Sequence, residues 1–254
     1  MKEPARLPLR LAIMCALACA AACVPGASHR APSPAERRAI LLDPASSFWL
    51  EHAPPAYDAR VETTKGVFVM HVDRDWAPLG ADRLYNLARA GYYDDSRFTR
   101  VVPKWIAQFG IAGDPAVASL WYDRGFPDDP VTHSNVRGTF GFAMTGPGRR
   151  TTQIFISLTD NSREDAQGFA PLGRITSGMD VVDSLYAGYG ETSGGGVRAG
   201  HQGPLVAGGN AFVDGRYPRL DHLIRITVST RRASASDSPR RSRALLDSVN
   251  SWPN

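Results

Sequence analysis

Cysteine is almost missing from this 254-residue chain, and after residue 23 it is missing altogether, since Cys15, Cys19 and Cys23 are its only three. Beyond that point no pair exists to oxidise, even in a disulfide-permissive compartment, and thiol catalysis and cysteine metal sites are excluded. The six histidines show no metal-ligand spacing; His71 and His222 fall in strand patterns and read as structural, His133 and His201 as loop residues. A spanning hydrophobic run is lacking too, because the apolar stretch from Leu11 to Ala22 is too short to cross a bilayer as a helix. No basic face is present either. The leader to Ala22 carries +2 and the tail from Arg231 carries +3 of a total of +4, so the stretch between stands at −1 and gives no argument for a nucleic-acid partner. No internal repeat is visible.

The N-terminal end of the chain reads as organised for export, and the C-terminal end as a separate tail. Lys2, Arg6 and Arg10 precede the alanine-rich run from Leu11, the layout of a secretory signal peptide over residues 1–22. That run closes on Ala20-Ala21-Ala22-Cys23, which looks like a bacterial lipobox and makes Cys23 the expected site of lipidation; Cys19 would shorten the apolar core and is the weaker candidate. The chain is therefore expected on the periplasmic side of a bacterial membrane, held by a lipid. From Val24 to Pro34 an Ala-, Pro- and Ser-rich segment reads as a tether. Residues 35–42 read as a short helix, and Asp43-Pro44 offers an N-cap for a further turn bearing Phe48 and Trp49, a lead expected to dock on the domain. After Ser229 a basic, serine-rich tail reads as disordered, although Leu245, Val249 and Trp252 share one helical face.

Between these ends, residues 57–230 alternate short strand patterns with turn signals. Strands are expected at 59–63, 67–72, 97–101, 105–109, 139–144, 154–158, 170–175 and 222–229. Helices are expected at 78–90, closed by Gly91, and at 178–185, while a glycine-rich segment from Gly188 to Gly209 breaks the pattern. Asp82 and Asp221 read as cap or turn residues, and Arg149 and Arg150 as solvated charges. Eight antiparallel strands with two terminal helices suit a mainly β fold, and pattern alone leaves a barrel and a sandwich open.

Two stretches carry the chemistry, YDDSRFTRVVPKWIAQFG from Tyr93 to Gly110 and FAMTGPGRRTTQIFI from Phe142 to Ile156. The first reads as a hairpin presenting one arginine, Arg100, among Phe98, Val101, Trp105 and Ile106. It resembles the cyclophilin signature at Tyr93, Ser96, Phe98, Arg100, Val101, Val102, Ile106, Gln108 and Gly110, and the second resembles the family's next block at Ala143, Gly146-Pro147, Gln153 and Phe155-Ile156. The resemblance spans about Tyr57 to Ser229. It implies a closed eight-stranded antiparallel β-barrel capped by two α-helices, and the activity of a peptidyl-prolyl cis-trans isomerase that needs no cofactor and no metal.

The resemblance also implies roles. Arg100 and Gln108 are the expected catalytic pair, and Phe98, Trp105, Ile106, Ala143, Met144, Gln153, Phe155, Phe169 and Leu172 the expected binding residues for proline-containing polypeptides, acting in a monomer. Departures from the family are Thr99 in place of a signature histidine, Trp105 in place of phenylalanine, Phe169 where a pocket histidine is usual, and Met144 where asparagine is frequent. Thr99 and Phe169 keep open the alternative of a proline-peptide binding module with little turnover. Relatives that bind the cyclic peptide cyclosporin tightly carry a tryptophan on the loop that here runs between Phe155 and Phe169, and this chain has none there.

Overall fold

Helix α1 (Pro34–Leu42) begins where the sequence supplies a capping box: Ser33 Oγ accepts the Glu36 amide, Glu36 Oε2 accepts the Ser33 amide at 2.6 Å, and Pro34 fills the first turn. This computed structural model describes residues 32–194 and 202–230. The expected signal peptide, Cys23, most of the expected tether, His201 and the tail from Arg231 lie outside the described residues. A 3-10 turn, Ser47–Leu50, follows α1 and is capped by Ser46 rather than by Asp43, which closes α1 instead and offers its carbonyl to the Trp49 indole N–H at 2.9 Å. This lead docks as expected. The Leu41 carbonyl accepts the indole N–H of Trp121 at 2.8 Å, and the rings of Trp49 and Trp121 meet edge to face at 4.6 Å.

Strands β1 (Ala56–Thr63) and β2 (Gly66–Asp73) bury every second residue, and their hairpin pairs Tyr57, Ala59 and Val61 with Val72, Met70 and Phe68 on the core face. Helix α2 (Pro78–Arg89) lays Ala81, Leu84, Leu87 and Ala88 on that core, while Leu79 stays exposed. It ends at Gly91, whose φ of 74° lets the Gly91 and Tyr92 amides turn back onto the Ala88 and Leu87 carbonyls. Its N-terminus is capped from a distance, the Asp129 carboxylate accepting the Leu79 and Gly80 amides at 2.9 Å each.

The remaining elements are β3 (Ser96–Arg97), β4 (Arg100–Val102), β5 (Ile106–Phe109), α3 (Pro115–Trp121), β6 (Thr139–Phe142), β7 (Ile154–Ser157), β8 (Pro171–Ser177), α4 (Met179–Asp183), α5 (Gly203–Arg216) and β9 (His222–Ser229). The strands form one curled antiparallel sheet in the order β3-β9-β1-β2-β8-β6-β7-β5-β4. This is a nine-stranded half-barrel with helices, which corrects the expectation of a closed eight-stranded barrel capped by two.

The ninth strand has a local cause. The stretch 97–101, expected as one strand, breaks at Phe98-Thr99. Before the break the chain pairs with β9, and the Phe98 amide still bonds the Asp221 carbonyl at 3.0 Å; after it the chain pairs with β5. The sheet's two edges are thus consecutive in the chain, and no β3–β4 ladder joins them. Helices α3 and α5 were not expected. Asp114 caps α3 by accepting the Ala116 amide, and α5 hides in a glycine-rich sequence that kinks at Gly209, φ 52°.

Candidate active site

Antiparallel pairing places residues directly opposite one another on the same face of a sheet. Three ladders align one such row: Arg100 of β4 opposite Gln108 of β5, Gln108 opposite Phe155 of β7, and Phe155 opposite Gly141 of β6. A cation, an amide and a phenyl ring, separated by up to 55 residues of sequence, are therefore adjacent because of strand register alone. The row forms one wall of a groove of about 1140 Å³.

Arg100 is 7% exposed and held from three directions. Its Nη1 donates to Gln108 Oε1 at 2.9 Å, its Nη2 to Glu191 Oε1 at 3.0 Å, and its Cζ lies 4.7 Å from the centre of the Trp105 ring. Gln108 passes the order along: its Nε2 donates to Gln153 Oε1 at 2.9 Å, and Gln153 Nε2 donates to Gln202 Oε1 at 2.8 Å. The chain just before Gln153 is braced by two buried tyrosines, Tyr92 on Thr152 Oγ1 at 3.1 Å and Tyr93 on the Thr152 carbonyl at 3.0 Å. Burial pushes the Tyr92 phenol up to about 12, so it stays a neutral donor.

The apolar part of the groove is Trp105, Ile106, Phe155 and Phe169, the last two rings meeting edge to face at 5.6 Å and 88°. Ala143 and Met144 line it just beyond β6, where the Ala143 amide bonds the Gln153 carbonyl at 2.8 Å. Nine of the expected residues are thus brought together: Arg100, Gln108, Trp105, Ile106, Ala143, Met144, Gln153, Phe155 and Phe169.

Two are not. Phe98 is fully buried, its ring 5.3 Å from Phe109 and 6.5 Å from Phe68, because the strand break turns it into the core. Leu172 is fully buried as well and fills the space beside Gly80 beneath α2. A third correction concerns Arg150, expected as a solvated charge. It is 1% exposed, pairs with Asp128 at 3.0 Å and Asp129 at 3.2 Å, and thereby orients the carboxylate that caps α2. Its neighbour Arg149 does face the groove.

Sequence reasoning missed the groove residues that come from irregular segments. Tyr122 and Phe126 follow α3, Arg163, Glu164 and Gln167 sit on a 3-10 turn (Ser162–Gln167), and Gln202 precedes α5. Glu191, beside Arg100, lies within the glycine-rich segment. None of these positions belongs to a periodic pattern, so nothing in the residue spacing marked them. Among the described residues, no group of three or more His, Cys, Asp or Glu side chains is placed to share a metal ion.

Comparison with known proteins places this arrangement. The family model described as cyclophilin type peptidyl-prolyl cis-trans isomerase/CLD matches residues 59–200. A Neurospora crassa protein named peptidyl-prolyl cis-trans isomerase-like 1 is 31% identical over 130 residues, covering 50% of this chain and 79% of that protein. A probable peptidyl-prolyl cis-trans isomerase of Brucella abortus is 30% identical over 152 residues, covering 54% and 74%. The crystal structure of a cyclophilin type isomerase from Cryptosporidium parvum superimposes with a TM-score of 0.50 at 16% identity, over 70% of this chain and 99% of that one, a likeness of fold.

Proposed function

We infer from the membership of this chain, which belongs to the cyclophilin-type peptidyl-prolyl cis-trans isomerase family, that it catalyses rotation about the peptide bond preceding proline. The observation that carries the reading is Arg100, fixed by Gln108 in the same strand row as the apolar floor formed by Phe155. Rotation about a peptide bond meets a barrier of roughly 18–20 kcal/mol because it breaks conjugation between the nitrogen lone pair and the carbonyl. In the planar ground state that lone pair is delocalised and a poor acceptor. In the twisted state it is localised, and a guanidinium N–H aimed at it binds the twisted state better than the planar one. Arginine suits the task because it is always charged and holds its donors in a rigid plane.

The other groove residues supply substrate geometry. Trp105, Ile106, Phe155 and Phe169 take the proline ring, and the chain at Ala143-Met144 offers backbone groups to an extended peptide. Proline-containing polypeptides are accordingly the partners. A short Xaa-Pro peptide, its isomerisation followed with the purified chain, tests this reading. Acceleration over the uncatalysed rate is expected, and peptide binding without acceleration would leave only a binding module.

The finer reading is that of a lipid-anchored isomerase, a monomer assisting protein folding in the bacterial envelope. Its support is the sequence: the charged and apolar leader, the lipobox ending at Cys23 and the tether after it. Fractionation of expressing cells together with mass analysis of the mature N-terminus tests it. Wild type is expected with membranes and with a lipid-modified Cys23, whereas an unmodified Cys23 or a mature start elsewhere refutes the anchor.

A further inference from the structure

The first, described part of the glycine-rich segment, residues 188–194, lies against Arg100. Its 3-10 turn, Thr192–Gly194, is seated by a hydrogen bond from Ser193 Oγ to the Thr99 carbonyl at 2.6 Å. Gly194 lies against the arginine itself: a Cβ there would sit 2.6 Å from Arg100 Cβ and 3.1 Å from the Thr99 carbonyl oxygen, so no larger residue fits without displacement. From the far side of the segment, Gln202 Nε2 donates to the Gly194 carbonyl at 3.2 Å, and Gln153 donates to Gln202 Oε1. The segment is therefore tied to both ends of the polar relay that starts at Arg100.

Glu191 opens this turn, and its carboxylate takes Arg100 Nη2 at 3.0 Å. A guanidinium is planar. One hydrogen bond, the Gln108 contact at Nη1, leaves it free to pivot about that point; a second bond at Nη2 fixes the orientation of the plane, and Trp105 covers one face. Arg100 and Glu191 side chains are 9% and 35% exposed, so this is an ion pair shielded on the arginine side rather than a contact between two mobile surface chains.

We propose that Glu191 is a positioning residue for the isomerisation: by holding Nη2 it fixes the plane in which Arg100 presents its terminal guanidinium N–H groups to the groove. The proposal rests on the reading of Arg100 as the catalytic donor. It assigns a purpose to the glycine-rich segment, whose sequence has neither core pattern nor helix period where it meets the site. Because the carboxylate acts through orientation and not by touching substrate, its removal lowers kcat and leaves KM nearly unchanged.

The test is a steady-state isomerisation assay on the full chain with Glu191→Ala, Glu191→Gln, Gly194→Ala, Arg100→Ala and the Arg100→Ala/Glu191→Ala double variant. Glu191→Ala is expected to lose about tenfold in kcat with KM within about twofold, and Glu191→Gln to recover to within about threefold because its amide oxygen accepts the same hydrogen bond. Gly194→Ala, which leaves the carboxylate in place but pushes the turn off Arg100, is expected to lower kcat in the same way. In the Arg100→Ala background, Glu191→Ala is expected to do nothing further. If Arg100→Ala is crippled while Glu191→Ala and Gly194→Ala retain full kcat, or if Glu191→Ala costs as much without Arg100 as with it, the inference is overturned. Full turnover in Arg100→Ala would instead overturn the catalytic reading beneath it.

Discussion

Arg100 and Gln108 are cross-strand partners in the β4–β5 ladder, and the same register that pairs their backbones places Arg100 Nη1 2.9 Å from Gln108 Oε1. The hydrogen bond therefore needs no loop to arrange it. If Arg100 supplies the transition-state donor, Arg100→Ala loses roughly two to three decades in kcat/KM, the scale of removing one preorganised donor. Gln108→Ala, which removes one anchor of the plane but leaves the charge, costs about one decade. Circular dichroism and a peptide isomerisation assay on both variants check this, and a folded Arg100→Ala with wild-type turnover refutes it.

That row of side chains was legible in the sequence through the resemblance of its two stretches to the cyclophilin blocks, and the strands, with their period of two and their register, explain why its members meet. Arg100, Gln108 and Phe155 fall on three separate strands, and once these pair in the observed register their meeting is fixed. What the pattern misplaced follows from breaks in that period. Phe98 sits in an apparently continuous strand, yet the switch of partner from β9 to β5 at Phe98-Thr99 turns it inward, and that same switch accounts for nine strands where eight were expected. Asp-Pro pairs announce helix starts only when the following residues have a face to bury. Asp114-Pro115 precedes buried Val117, Ala118 and Trp121 and opens α3, whereas Asp43-Pro44 opens only a turn, the Asp43 carboxylate accepting the Ala45 amide at 3.1 Å and its carbonyl the Ser46 amide at 3.1 Å, before the chain passes to the 3-10 turn at Ser47. Glu191 and Gln202 were illegible for a third reason: their partners lie across the fold and each sits beside a glycine, Gly190 or Gly203, in a stretch with no periodic pattern, so no local signal exists.

The edge-to-face contact of Phe155 with Phe169 closes one side of the apolar pocket, with Phe169 standing where the family usually has a histidine. Such a pair contributes about 0.5–1.5 kcal/mol beyond the area it buries. Phe169→Ala should therefore raise KM for a Xaa-Pro peptide by roughly fivefold to twentyfold and change kcat little, since the ring shapes binding and not the donor. Phe169→His, which restores the family's usual residue, should stay within about threefold of wild type in KM. Equal losses of kcat in both variants would show that the ring has a part in the chemistry.

Asp82 fastens the lead to α2, accepting from Arg74 at 2.7 and 2.8 Å, from the Ala53 amide at 2.8 Å and contacting His52 at 2.7 Å. Burial pushes its carboxyl up, but the hydrogen bonds from Arg74, His52 and Ala53 outweigh this and hold it below the ordinary value of 3.8. The sign follows from the depressed value. Stability from this group is fully present above 3.8 and is lost as pH falls through the lower folded value. Asp82→Asn should cost about 1–2 kcal/mol at neutral pH, after allowing for solvent around the partly exposed Arg74. Urea unfolding of both proteins at pH 7 and at pH 3 measures the difference; the gap should narrow in acid, and a gap of constant size would show that the carboxylate is not what fastens the lead.

The rim of the groove bears on inhibition by cyclosporin. Tight binders in the family offer this cyclic peptide an indole on the loop after the Phe155 strand, where it provides a large apolar surface and a directed N–H. Here that loop forms the 3-10 turn Ser162–Gln167, which sets Arg163, Glu164 and Gln167 at the groove, Arg163 lying 5.7 Å from the Trp105 ring and bonded to Glu164 at 3.1 Å. Trp121 cannot stand in, because it is 1% exposed and its N–H is committed to the Leu41 carbonyl on the lead side of the domain. Nor does Trp105 replace the missing donor, since its indole nitrogen is buried. Losing an aromatic anchor of this kind typically removes on the order of 2–4 kcal/mol of binding, a factor of roughly 30 to 1,000. The catalytic row is untouched by this exchange, because Arg100, Gln108 and Phe155 lie on β4, β5 and β7. An active isomerase with weak sensitivity is therefore expected when cyclosporin is titrated into the assay. Arg163→Trp should tighten inhibition by at least tenfold without altering turnover of a short peptide, and wild-type inhibition as tight as that of tryptophan-bearing relatives would refute this account of the loop.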